Sequence, residues 1–383
     1  MPGETGHTDI ARVSPAEHPY VAKNASQPAQ DEPSYYDISF LQPPPWKWEI
    51  VGYFFFGGVS GAAYVLSRMA DRFGGEPGRS VARAGAWVSM LSFLPCPPLL
   101  IHDLGDRKRF HHMLRVFKPA SPMSFGSWIL TTYSAFATLN LGRQILRELP
   151  WIAKKALLKP LPKPLAKVAA LVPASLARQA VPLPLRAAGS AVDAADDLLG
   201  VPLAVMLAGY TGVLLSCSAN PLWAQNPWIG PLFSASAAST GAAAVSAAMT
   251  LTGNDPESPA AHALEKLDSI AHAAELATFA GFVEHDRAAA RPLTHGPLRT
   301  HMLVAGGLIA AAEVLKHVDV PKKARKYTAL AAAAAGLAAG LHLRWAFVYG
   351  GHAAAADPRA ARTSSRPRHR IAAKFPHPPS LQP

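Results

Sequence analysis

Apolar runs close to the about 20 residues that a helix needs to cross a bilayer recur along the chain at 46–69, 81–104, 123–145, 198–219, 228–251, 267–283, 301–317 and 327–350. The pattern predicts an all-α integral membrane protein with eight transmembrane helices in a bundle. The first run opens on Trp46 and Trp48, aromatics suited to the headgroup layer, and continues as FGGVSGAA, whose small residues let a neighbouring helix come close. The second holds Pro95, Pro97 and Pro98, which bend a span near its end. The third follows Ser121 and Ser124, either of which can cap its start. An even number of spans puts both termini on one side, together with the loop between the second and third runs, the fourth-to-fifth turn and the sixth-to-seventh loop.

Between the runs the composition changes. Residues 1–44 are rich in Pro, Ala and charge without an apolar stretch and read as a disordered tail, not a signal peptide. The membrane domain spans 45–350. Within it, the connection 143–198 alternates Lys and Arg with Leu and Val and is cut by regular prolines. It reads either as short amphipathic segments on an anionic membrane face or as a linker. A basic tail fills 351–383. The Lys-rich connection and the VPKKARKY loop face the cytoplasm by the positive-inside rule, placing the protein as a multi-pass component of the inner (cytoplasmic) membrane.

With 383 residues, 50% hydrophobic and 16% charged, the chain is too apolar for an ordinary soluble protein. Its net charge of +12 lies in loops and tails, the distribution of a bilayer flank and not of a nucleic-acid patch. Only Cys96 and Cys217 are present, so no Cys-rich zinc or iron–sulfur motif is available, and no metal is expected in this chain.

Polar chemistry concentrates where it is costly. His102, Asp103, Asp106, Arg107, Lys108 and Arg109 crowd the turn between the second and third runs, and charged groups at the edge of a hydrocarbon layer mark a candidate site. Deeper, His272 and Glu275 stand three apart on one helix face, Glu313 lies in the next run, and Arg344 or His342 is available as a partner. This set reads as a proton path or as static buried pairs. A haem-bearing cytochrome b needs paired axial histidines at matching depth, which the spacing of His102, His272, His301 and His342 does not provide. An ion or proton transporter using Glu275, Glu313 and Arg344, and a plain membrane anchor, are the readings from other classes. No repeat between the chain halves favours a transporter.

The strings PPPWKWEIVGYFFFGGVSGA, LLIHDLGDRKRFHHMLRVFKPASPMSFGSWIL, YTGVLLS with PLW, and LRWAFV resemble the NrfD/polysulfide reductase membrane-subunit family, from about Tyr35 to Pro358. The resemblance implies a haem-free, eight-helix subunit. Such a subunit exchanges electrons between quinone, menaquinone or ubiquinone, and an iron–sulfur ferredoxin-like subunit serving a molybdopterin oxidoreductase subunit, of polysulfide reductase or formate dehydrogenase type. One departure stands out: where the family reads D-L-G-R-P, this chain has Asp106 in the Arg position and no Pro, with Arg107 one residue later as the alternative cation.

A quinone site needs an apolar slot, donors to two carbonyl oxygens and a proton route. On that reading His102 bonds a quinone oxygen, the alternative being a helix-end cap, and Asp103 orients it or exchanges its proton. Tyr210 donates to the second oxygen, with Thr211 and Gly212 leaving room for the ring. Glu49 and Arg107 complete the polar set, and Met123 and Trp128 line the slot.

Overall fold

The computed structural model describes residues 41–157, 193–224, 226–358 and residue 360, and every regular element among them is helical. The tail 1–40, the proposed surface segments at 158–192 and the tail from 361 lie outside the described residues.

Helix α1 (Trp48–Phe73) reverses within a single glycine into α2 (Gly75–Phe93). Gly75 sits at φ 54°, a left-handed conformation that a Cβ would penalise. The prolines do more than bend the second span. α2 ends at Phe93, and α3 (Cys96–Asp103) starts with Pro97 and Pro98 in its first turn, where a missing N–H costs no helical bond. A 3₁₀ strap (Arg107–Leu114) then leads to α4 (Pro122–Leu157). Ser121 caps α4 by accepting from the Ser124 backbone N–H at 3.4 Å.

The run pattern starts the basic connection at residue 143, but α4 continues to Leu157. Arg143 and Arg147 explain the extension, since they pair with Asp193, Asp196 and Asp71 across the helix interface. After a π-turn at Asp196–Gly200 come α5 (Val201–Ser216), α6 (Ile229–Leu251), α7 (Pro259–His285), the short α8 (Arg291–Thr294), α9 (Arg299–His317) and α10 (Lys322–Ala356). α10 also overruns its expected end at residue 350, and Gly351, Ala353, Ala354 and Ala355 are buried.

Among the described residues, five helical stretches are long and apolar enough to cross a membrane: Trp48–Phe73, Gly75–Asp103, Asp193–Ser216, Ile229–Leu251 and Lys322–Ala356. α4, α7 and α9 are not among them. α7 carries Glu265, Lys266, Asp268 and Glu275, and α9 carries Glu313 and Lys316.

α1 runs through the middle and touches α2, α3, α5, α6 and α10. Its small residues serve packing: a Cβ on Gly61 would stand 3.1 Å from the Ala208 backbone nitrogen of α5, so the two helices meet backbone to backbone. Phe54, Phe233, Phe347 and Phe282 follow edge to face with centroids 5.0 to 6.1 Å apart, which suits the ring quadrupoles.

The far end of α1 is held by charge. Arg68 is 3% exposed and pairs with Asp71, Asp196 and Asp197 at 3.2, 3.2 and 2.6 Å. Asp196, fully buried, also meets Arg143 and the Tyr64 hydroxyl. Removing one partner from such a network strands the others without water. Arg68→Met is therefore expected to lower stability by about 3–5 kcal/mol, read as a fall in the unfolding midpoint of the detergent-purified protein. A midpoint unchanged from wild type would show that the network carries no stability.

Candidate functional site

At the opposite end of α1, Glu49 enters the first helical turn, where the positive end of the helix dipole favours a carboxylate, and it is buried. Its Oε1 lies 3.0 Å from Nδ1 of His102 at the end of α3, and the Trp48 ring leans over the imidazole at 6.3 Å. His102 is half-exposed on the rim. Asp103, the next residue, makes no hydrogen bond or ion pair among the described residues.

Behind this rim opens a cavity of about 270 Å³ between α1, α3, the strap, α4 and α5. Ile50, Phe54, Phe93, Leu100, Leu130 and Leu214 supply apolar walls, and Phe110, Met113 and Leu114 of the strap close one side. The polar groups at its surface include Asp103, the phenols of Tyr53 and Tyr210, and the hydroxyls of Ser127, Thr131 and Ser134 on α4.

The fold therefore brings Asp103, Tyr210 and Met123 to the cavity wall, with the Glu49–His102 pair adjoining. Tyr210 stands over Gly126, where a Cβ would lie 2.8 Å from its hydroxyl oxygen, and the hydroxyl donates to the Pro122 carbonyl. That bond ties α5 to the start of α4. The other expected members stand elsewhere. Arg107 is exposed on the strap. Trp128 packs edge-on against Phe117 at 6.0 Å, its indole N–H buried without a partner. Thr211 is buried outside the cavity wall. Gly212 serves contact with α6, since a Cβ there would fall 2.7 Å from the Ile229 carbonyl oxygen.

Sequence reasoning missed two sets of residues here. Tyr53, 3% exposed, lines the cavity with a phenol that makes no hydrogen bond among the described residues. Its signal was the i, i+4 spacing from Glu49, which puts both on one face of α1. The uncharged turn between α5 and α6 supplies the second set. Trp223 is fully buried, donates from Nε1 to the Phe347 carbonyl at 3.0 Å and stacks on Trp46 at 5.3 Å. Asn220 donates to the Gly351 carbonyl at 2.8 Å and Asn226 to the Phe282 carbonyl at 3.0 Å. The Phe282 carbonyl lies in the last turn of α7, where no intrahelical donor remains; the bonds to Phe347 and Gly351 tie the turn to α10, and the stacking holds Trp46, part of the cavity wall.

The deeper ionisable residues form two groups. Arg344, 1% exposed, donates to the Phe54 carbonyl, the Ser236 hydroxyl and the Gly340 carbonyl at 3.2, 2.7 and 2.9 Å, with its guanidinium over the Phe233 ring at 5.8 Å. Glu275 accepts from Ser239, one turn along α6 from Ser236, at 3.2 Å. Nearer the other end, His272 Nδ1 meets Glu313 at 2.7 Å. Lys316 joins Glu313 to Asp268, 2.7 Å from each. His342 partners neither carboxylate: it meets His301, Nδ1 to Nδ1, at 3.0 Å.

Trp223→Ala would empty a filled volume and remove the bond from the indole to the Phe347 carbonyl. The expected loss is about 3–5 kcal/mol, with a lower unfolding midpoint, whereas Trp228→Ala on the more exposed end of the same turn should cost less. Equal midpoints for the two variants would contradict the structural role of Trp223.

The family model described as "Polysulphide reductase, NrfD" matches residues 38–356. Comparison with curated proteins gives no match.

Proposed function

The chain belongs to the NrfD polysulphide reductase family, and from that premise we propose that it is the quinone-interacting membrane subunit of an oxidoreductase complex. In this reading it passes electrons between the quinone pool and an iron–sulfur subunit that serves a molybdopterin catalytic subunit. In this reading all eight long helices cross the cytoplasmic membrane, including the more polar α4, α7 and α9.

The observation that carries the reading is the rim cavity: apolar walls suited to a flat ring and its hydrocarbon tail, with the Asp103 carboxylate and the Tyr53 phenol at its surface and no partner of their own. Unpaired polar groups in an apolar recess are the composition of a ligand site. A bound quinone supplies the two-electron, two-proton redox couple. The protein's share is to hold and move protons. Tyr53 presents a donor from α1, Asp103 an acceptor at the rim. His102 passes a proton from Nδ1 to Oε1 of Glu49, 3.0 Å away, and its exposed edge reaches water. Tyr210, its hydroxyl engaged by Pro122, shapes the wall. The strap residues Phe110, Met113 and Leu114 exclude water from the recess.

A proton path through His272, Glu275, Glu313 and Arg344 is the second element of the proposal. Its support is that each is engaged by another polar group inside the bundle, at depths where ionisable groups mark such routes.

The test is turnover of the purified complex with a short-chain quinol. His102→Ala and Asp103→Asn should each lower quinol turnover about tenfold or more, the consequence of losing a charge-assisted hydrogen bond of about 1.5–3 kcal/mol, while the iron–sulfur subunit still co-purifies. A complex that contains no extractable quinone and ignores quinol-site inhibitors would overturn the reading, and unchanged kinetics in both variants would overturn the site.

A further inference from the structure

At the end of the bundle opposite the rim cavity, a polar vestibule of about 250 Å³ opens between α6, α7, α9 and α10. Glu257, Glu265, Asp268 and Asp319 line it against Lys316 and Arg325, and Glu313 adds a further carboxylate beside Lys316. With the histidines neutral, the negative charges outnumber the positive ones, so the recess attracts cations.

Asp268, on its wall, brings one buried acceptor atom close to another on His272. His272, 2% exposed, meets Glu313 through Nδ1 at 2.7 Å. A proton on Nδ1 donated to that carboxylate leaves Nε2 as a bare lone pair. Asp268, one turn earlier on α7, gives Oδ2 to Lys316 at 2.7 Å. Its Oδ1 and the His272 Nε2 have no hydrogen-bond partner and lie 3.6 Å apart. That is too long for a hydrogen bond, yet close to the about 3.4 Å edge of a tetrahedral zinc site with bonds of about 2.1 Å. Beside Nε2 the wall is small: a Cβ placed on Gly336 would stand 3.7 Å from it and 3.6 Å from Ala243.

We propose that Asp268 Oδ1 and His272 Nε2 form the protein half of a binding site for a zinc-class divalent cation, reached through the vestibule. The i, i+4 spacing presents both ligands on one helix face. An imidazole nitrogen with a carboxylate oxygen favours a first-row transition ion over magnesium or calcium. Glu313 is the outer-shell carboxylate that fixes the ring and its tautomer. Lys316 holds the second oxygen of Asp268 and so turns Oδ1 inward. Water entering through the vestibule completes the coordination. An ion here stands one helical turn before Glu275 and closes that end of the buried polar series.

The proposal does not rest on the quinone reading, because ion binding is measured without turnover. The experiment titrates the full-length purified protein with Co²⁺, following its visible d–d bands, and with Zn²⁺ by calorimetry. The expected result is one ion per chain, a spectrum with a nitrogen donor, and affinity reduced about a hundredfold by His272→Gln and by Asp268→Asn. Glu313→Gln should weaken binding about 10- to 100-fold, and His301→Gln, in the other histidine pair, should leave it unchanged. Absence of binding to the wild-type protein overturns the proposal, as does binding that survives His272→Gln or that is lost with His301→Gln. Should a variant fail to fold, the wild-type Co²⁺ spectrum still decides: a purely oxygen-ligated ion overturns the proposal.

Discussion

A guanidinium sealed inside an apolar bundle dictates where everything around it can stand. Arg344 must be given acceptors for its N–H groups, because an unpaired charge at that depth costs several kcal/mol. The bundle supplies two backbone carbonyls and a serine: Phe54 from α1, Gly340 from α10 itself and Ser236 from α6. Those bonds set the spacing of three central helices. The Phe233 ring, with its negative face toward the guanidinium, packs against both Phe54 and Phe347. The aromatic core is thus organised around a charge, and the small residues nearby make the approach possible. On α1, a Cβ on Gly58 would meet Arg344 Nη2 at 3.0 Å.

The same constraint explains both ends. At the ionic end, Asp71, Asp193, Asp196 and Asp197 have one requirement, a cation within reach, and Arg68, Arg143 and Arg147 meet it by joining α1, α4 and the π-turn. At the rim end no such cluster forms. There Asn220, Trp223 and Asn226, all neutral donors, bond backbone carbonyls of α7 and α10. The aspartates at the far end of α1 are thus paired, whereas Asp103 and Tyr53 at the rim cavity have no hydrogen-bond partner among the described residues.

The helices were legible because hydrophobic runs report burial directly; Glu49, His102 and Asp103 stand together where run ends meet, and Tyr210, from the middle of its run, reaches the wall of the adjoining cavity. What stayed hidden depends on partners far along the chain. The continuation of α4 past residue 143 is set by aspartates about fifty residues away, which no local pattern reveals. Tyr53 sat in an aromatic stretch, and only its i, i+4 spacing from Glu49 set it apart from lipid-facing neighbours. Gly212 offered two uses for an absent side chain, and contact with α6 is the one the backbone adopts. Asp268 and Lys316 fell at the margins of apolar runs, where charges are ordinary, although both turn inward.

The rim cavity and the vestibule share no lining residue. From the vestibule, the polar groups run through Asp268, His272 and Glu275 to the serines of α6 and stop at Arg344. Its Nε holds the carbonyl of Phe54, whose side chain belongs to the cavity wall. Among the described residues no further polar group bridges that ring. The link between the two is thus the hold of Arg344 on the α1 backbone and not a continuous file of polar groups past the Phe54 ring. Because the carbonyl of Phe54 already serves the i+4 amide of its own helix, the guanidinium is its second donor. The bond therefore adds to the helix without replacing any of its own hydrogen bonds, and α1 stays regular where the guanidinium meets it.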